Sequence, residues 1–228
     1  MKKNVFTLFF AIFALTMTTK AQDCFKFMPQ KEGTVLETTQ FDAKKHKTGV
    51  SSLTILTRTS TQLNVQLESK DAKTDSVYKV EFAYICKDGK MYVDMKSYLG
   101  NQLANYPNGN ITVVDAGELE IPSDPKEGQE LPGGTVLVSI MQQGISIMKI
   151  GVTVSNRKIE KLETIKTDAG DFECFKITQD TESKMGFIKV KGSSAEWISD
   201  GVGVVRSENY DKKGDLVSYS VLTAVKNK

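Results

Sequence analysis

One histidine, three cysteines and 28 acidic side chains carry whatever chemistry this 228-residue chain can do. A Ser-His-Asp triad or a Cys-His pair needs an imidazole as its proton carrier. Here that could only be His46. It lies in Lys44-Lys45-His46-Lys47, between Asp42 and Gly49. That cluster reads as a solvated hairpin turn. No Gly-x-Ser-x-Gly, His-Glu-x-x-His or Walker loop is present. A histidine-rich zinc site is impossible, and the scattered cysteines lack metal-ligand spacing. The sequence asks for no cofactor. A carboxylate pair of the glycosidase kind is compatible with so many acids, but nothing marks one pair out.

Cys24, Cys86 and Cys174 are odd in number, so at most one internal disulfide can form. Cys174 follows Phe172 by two residues and shares its strand face, which suggests burial as a small hydrophobe. Cys24 lies outside any clear strand and is free to reach Cys86, so Cys24 and Cys86 are the disulfide candidates. Other pairings, and no bridge at all, stay open. A bridge closing such a loop stabilises by roughly 4 kcal/mol on a chain-entropy argument. Its role would be structural.

Met91, Met95, Met141 and Met148 are the most suggestive binding residues. Methionine adapts to irregular apolar partners and recurs on promiscuous binding surfaces, although it also fills gaps in ordinary cores. Met141 and Met148 flank a turn at Gln142-Gln143-Gly144, with Ile145 and Ile147 on the strand face opposite Met148. These two methionines are the expected ligand-binding residues. Trp197 is open to the same two readings. Gly201 and Gly203, on either side of Val202, mark a bend or bulge rather than a phosphate cradle.

The elements that must position these groups are strands. Tyr78, Val80, Phe82, Tyr84 and Cys86 alternate with Val77, Lys79, Glu81, Ala83 and Ile85, which puts the aromatic set on one face. Asp88-Gly89 follows, a pair favoured where both central turn residues need positive φ. Met91, Val93 and Met95 then alternate on the return. Leu63, Val65 and Leu67 form another strand, as do Val136, Val138 and Ile140. Ile145 to Ile165 reads as one long returning strand bent near Gly151. Turns at Thr167–Gly170 and Asp211–Asp215 complete the series. The one helical candidate is Asp94–Tyr106, with Leu99 and Leu103 four apart. Turns at such intervals are those of meandering antiparallel sheets. Closure removes sheet edges, so the expected fold is mainly β: an antiparallel half-barrel or barrel with at most short helices. A two-sheet sandwich is the alternative.

Lys2 and Lys3, an apolar run from Val5 to Met17, and Thr19-Lys20-Ala21 follow the charged, apolar, small-residue order of a secretory signal. Residues 1–21 are therefore expected to be a signal peptide, leaving Gln22 as the new N-terminus and 22–228 as a single β-rich domain. Asp23 directly before Cys24 does not suit lipid attachment, so the product should be soluble, without a lipid, and periplasmic or extracellular. The apolar run falls short of the roughly 20 residues that span a bilayer, and no second run follows, so no membrane span is expected. Without residues 1–21 the chain has 27 basic and 28 acidic groups. A near-neutral surface argues against nucleic acid, which needs a basic face. Ile121–Gly134, rich in proline and glycine, reads as a long crossing loop rather than a linker.

Three segments carry a family resemblance. They are Thr167-Asp168-Ala169-Gly170-Asp171-Phe172-Glu173-Cys174-Phe175-Lys176-Ile177, the run from Glu196-Trp197 through Gly201-Val202-Gly203 to Glu208, and the opening Cys24-Phe25-Lys26-Phe27-Met28-Pro29. Together they resemble the TapB-like family of exported bacterial proteins of unknown function. The resemblance implies a β-rich half-barrel similar to periplasmic lipoprotein carriers. It brings no activity and no functional residues.

Three functional classes follow. The first is a non-catalytic module that holds an acyl chain or another apolar ligand or partner segment in a β-lined groove. The second is an envelope interaction protein that uses strand edges. The third is a hydrolase with an unmarked carboxylate pair. The first is the expectation carried forward.

Overall fold

The computed structural model describes residues 23–95 and 110–227. The signal segment and nearly all of the helical candidate Asp94–Tyr106 lie outside the described residues.

The alternating patterns form strands where the sequence predicts them. In chain order these are β1 (Val35–Asp42), β2 (Lys47–Arg58), β3 (Gln62–Asp71), β4 (Val77–Lys87), β5 (Lys90–Asp94), β6 (Asn110–Ala116) and β7 (Glu118–Pro122). They continue with β8 (Glu130–Leu131), β9 (Gly134–Gln142), β10 (Ile145–Thr167), β11 (Gly170–Met185), β12 (Ile188–Ser199), β13 (Gly203–Asp211) and β14 (Leu216–Lys226). All pairings are antiparallel, in the order β6-β9-β10-β11-β12-β13-β14-β1-β2-β3-β4-β5-β7, and β8 adds to β10. Among the described residues there is no α-helix.

The sheet curls into a nearly closed barrel. At its seam the backbone N–H of Gly117, just before β7, donates to Thr135 O of β9 at 2.7 Å. Arg157 of β10 reaches across to Glu120 O of β7 at 2.9 Å and also donates to Pro132 O at 3.0 Å. The side chain is buried, and its Nε donates to Gln179 Oε1 at 3.2 Å. A guanidinium suits this place because its planar fork can serve several acceptors at once. The crossing loop between Ile121 and Gly134 is thereby tied to the barrel wall.

Asp88 (φ 51°) and Gly89 (φ 72°) make the two-residue turn between β4 and β5, with Tyr84 paired to Val93. The long strand differs from expectation. Its ladder with β11 runs regularly through Gly151, and the irregularities fall between Ser155 and Lys158 and between Ile159 and Leu162. Asn156 has φ 50° there. Asparagine visits the left-handed region more readily than other residues with a side chain. The break lets Arg157 pair with Leu131 of β8 while its side chain turns to the seam.

The interior is filled from the N-terminal side. Cys24, Phe25, Phe27 and Met28 are almost fully buried against Ile55, Leu63, Val65, Met91 and Ile198. A disulfide joins Cys24 to Cys86 of β4, with Cα atoms 5.6 Å apart. Arg58 grips both carboxylate oxygens of Asp23 at 3.0 Å and donates to Pro29 O. Lys26 O accepts from Gly201 N at 2.7 Å. Residues 23–29 thus act as a pinned plug.

Candidate binding site

The interior rows of eight elements converge on one apolar cavity beside the plug. Leu36 and Thr38 of β1, Leu53 of β2 and Leu67 of β3 form one wall; Phe82 and Tyr84 of β4, Met91 of β5 and Ile121 of β7 form the next. Ile198, Gly203 and Val204 close the circuit, and Phe27 and Met28 of the plug line it as well. The rows meet through register: Leu36 opposes Leu53, and Leu53 opposes Leu67. Direct cross-strand partners share a face, so these side chains are aimed inward together. The cavity measures about 220 Å³. Pockets for whole drug-sized ligands run roughly 300–1,000 Å³. This one therefore suits a chain end or a single ring rather than an entire lipid.

Gly203 shapes the wall. Its φ is 90°, and a Cβ there would stand 3.5 Å from Met28 Sδ and from Phe27 O. The expected bend at Gly201-Val202-Gly203 is the β12–β13 turn, with Gly201 at φ 70°.

Alongside the buried Arg157, Glu196 brings an ionisable side chain to the barrel interior. Glu196 opposes Ile177 of β11 and so shares its inward face. It lies deep in the barrel yet keeps some open surface. Burial pushes its carboxyl above the usual carboxylate range, against the pull of Arg157. Tyr84, on the cavity wall, has its phenol pushed well above the ordinary value by burial and by the nearby Glu196 charge. Burial without full charge compensation shifts both groups toward their neutral forms. The cavity is thus an apolar chamber whose polar lining side chains are Thr38 and Tyr84.

The residues singled out in the sequence fall elsewhere. Met141 and Met148 are half-buried on the β9–β10 hairpin and are not among the cavity's lining residues. Met148 packs against Val93, Met95, Leu119 and Ile150 in a separate core cluster, and the Ser139 hydroxyl lies 3.5 Å from Met141 Sδ. A register shift between Ser146 and Met148 marks a bulge there, which brings Ile147 and Met148 to the same depression despite their adjacency. Of the four methionines, Met91 lines the cavity. Trp197 is on the other face of β12, its Nε1 donating to Glu163 Oε1 at 2.6 Å. Lys176 and Arg206 stand over its ring at 4.8 and 5.8 Å from the centroid. Cys174 is a buried free thiol, raised to about 11 by burial and Glu163, which keeps it protonated and poorly nucleophilic. His46 is exposed at the β1–β2 turn, its Nδ1 3.0 Å from Asp42 Oδ2. Among the described residues no cluster of three or more His, Cys, Asp or Glu side chains could hold a metal ion.

The plug residues escaped the sequence reading. Phe25, Phe27 and Met28 follow no strand period, and their signal was apolar density beside a cysteine.

A family model described as DUF3108-like matches residues 31–222. The crystal structure of a candidate lipoprotein from Parabacteroides distasonis is similar to the chain with a TM-score of 0.75 and 26% identity, over 90% of this chain and 100% of that one. A candidate exported protein with a YmcC-like fold from Bacteroides fragilis superposes at a TM-score of 0.73 and 21% identity, over 88% and 99% of the two chains. No curated protein matches the chain.

Proposed function

The chain belongs to the DUF3108-like family, and from that footing we propose that it is an exported, non-catalytic β-barrel protein that holds one apolar chain end or partner segment in its lumen. The cavity of about 220 Å³ between the plug and the walls carries this reading. Its lining is apolar except for Thr38 and the Tyr84 hydroxyl. The exported character of the fold's relatives supports it, as does the basic and apolar order of residues 1–21, which we take to be removed before Gln22. The short motifs around Phe172 and Trp197 support a kinship with the TapB-like proteins as part of this reading. An envelope interaction role is second, because among the described residues the β6 and β7 ends of the sheet have no second ladder partner.

The test is titration of the exported protein with decanoic acid and with a fluorescent alkyl probe, followed by native mass spectrometry. Wild type is expected to bind one equivalent. Leu67→Trp fills the chamber from its wall and should abolish binding while the β circular-dichroism signal and the urea midpoint stay near wild type. A folded wild-type protein that takes up neither probe rejects the lumenal reading.

A further inference from the structure

Most exposed apolar side chains on this barrel are scattered singly, which is normal for a soluble surface. One group is not. The β11–β12 hairpin tip presents Met185, Phe187, Ile188 and Val190 to solvent, with Phe187 wholly exposed at 107%. The neighbouring β9–β10 tip presents Ile145 at 69% and Ile147 at 55%. The two tips are joined: Gly186 N donates to Lys149 O at 3.0 Å, and Met185 pairs with Ile150.

Alternation gives the projecting hairpin two unlike faces. Ile150 is buried in the core, so its partner Met185 faces inward, and Ile188, opposite Met185, does the same. Val190 shares that face two residues on. Lys184 and its partner Lys189 occupy the outer face, and so does Lys191 opposite Glu182. Lys149, next to Ile150, adds a fourth amine on that side. Glu182 is the one acid among them, paired to Lys189 at 2.7 Å and Lys191 at 3.6 Å. An apolar tip collared by four lysines and one carboxylate is complementary to a bilayer with anionic headgroups. The apolar side chains enter the acyl boundary while the long lysine stems keep their amines at the phosphates.

We propose that the paired hairpin tips, led by Phe187, are a membrane-docking surface for anionic phospholipid bilayers. The surface is separate from the lumenal cavity, and docking does not depend on what the lumen holds. It would set the barrel on the lipid surface without a spanning segment.

The experiment is co-sedimentation of the exported protein with phosphatidylcholine vesicles, with and without phosphatidylglycerol. Binding is expected with phosphatidylglycerol and should weaken steeply with added salt. Phe187→Asp should weaken it by roughly ten- to a hundredfold, from the lost burial of one aromatic ring. Lys184→Ala and Lys189→Ala should each cost roughly fivefold. Phe187→Trp should be quenched by brominated acyl chains, with the wild-type protein and its Trp197 as the unquenched reference. These tips are at the surface, so each variant is expected to keep the wild-type unfolding midpoint. Failure of the wild type to bind phosphatidylglycerol vesicles overturns the proposal, as does unaltered binding by Phe187→Asp. A dimer that Phe187→Asp dissolves, with no vesicle binding by either protein, would instead assign the patch to a second copy of the chain.

Discussion

Removing the Cys24–Cys86 bridge tests whether the plug or the barrel wall organises the lumen. The bridge spans a sequence separation of 62. A loop of that length removes roughly 4 kcal/mol of entropy from the unfolded chain. The folded side adds to the loss, because a serine hydroxyl at position 24 enters an apolar setting, so this figure is a lower bound, while the plug keeps its other ties. Those ties are the Asp23–Arg58 ion pair, whose side chains are 47% and 13% exposed, and the Lys26–Asp200 pair at 3.2 Å on the surface. Pairs of that exposure contribute about 1 kcal/mol or less each. With a urea m-value of about 2 kcal/mol per molar, the double variant Cys24→Ser, Cys86→Ser should lower the midpoint by about 2 M or more. The assay is equilibrium unfolding by circular dichroism, with intrinsic fluorescence as a second probe. Trp197 is outside the lumen, so coincident curves would show that plug and barrel unfold together. A midpoint lowered by less than about 0.5 M would mean the bridge constrains little of the unfolded chain. A separate early transition that releases the plug alone would refute the view that residues 23–29 are integral to the core.

Glu196→Gln tests the buried carboxyl through pH. The native state holds that proton more tightly than the unfolded chain does, since burial raises the carboxyl above its usual range. Stability must then fall as pH rises from the unfolded value through the folded one. The variant lacks that slope, so relative to wild type it should gain stability as pH rises above the ordinary glutamate value of about 4; urea midpoints with a pH-independent difference would contradict the assignment. Gly89→Val forces a β-branched residue to the φ of 72° that closes the β4–β5 turn. It should cost roughly 1 kcal/mol or more through backbone strain, and an unchanged midpoint would show that the turn tolerates it.

What the sequence disclosed and what it hid follow from range. The β4–β5 hairpin was legible because its evidence is local: a period of two on each side of Asp88-Gly89, and a turn that requires positive φ. The same alternation placed Phe82 and Tyr84 on one face, and both line the cavity. The cavity itself was not legible. Its walls come from β1 at one end of the chain's strands and β13 at the other, and only the register of a closed sheet brings Leu36 near Ile198 and Val204. Met148 illustrates the cost of extending local pattern too far. It does continue the inward row of Ile150, Val152 and Val154, but that row serves a second core cluster rather than the chamber. The bulge beside it also breaks the alternation that set Ile147 and Met148 on opposite faces. Arg157 was hidden for the opposite reason. Within Ser155-Asn156-Arg157-Lys158 it reads as one more exposed basic residue, yet a single left-handed Asn156 turns it inward to bridge the seam. That one side chain links three features: it ties the crossing loop to the wall, holds Gln179, and opposes the rise of the Glu196 carboxyl. The closure of the barrel itself thus supplies the charge that partly offsets the burial of the Glu196 carboxyl.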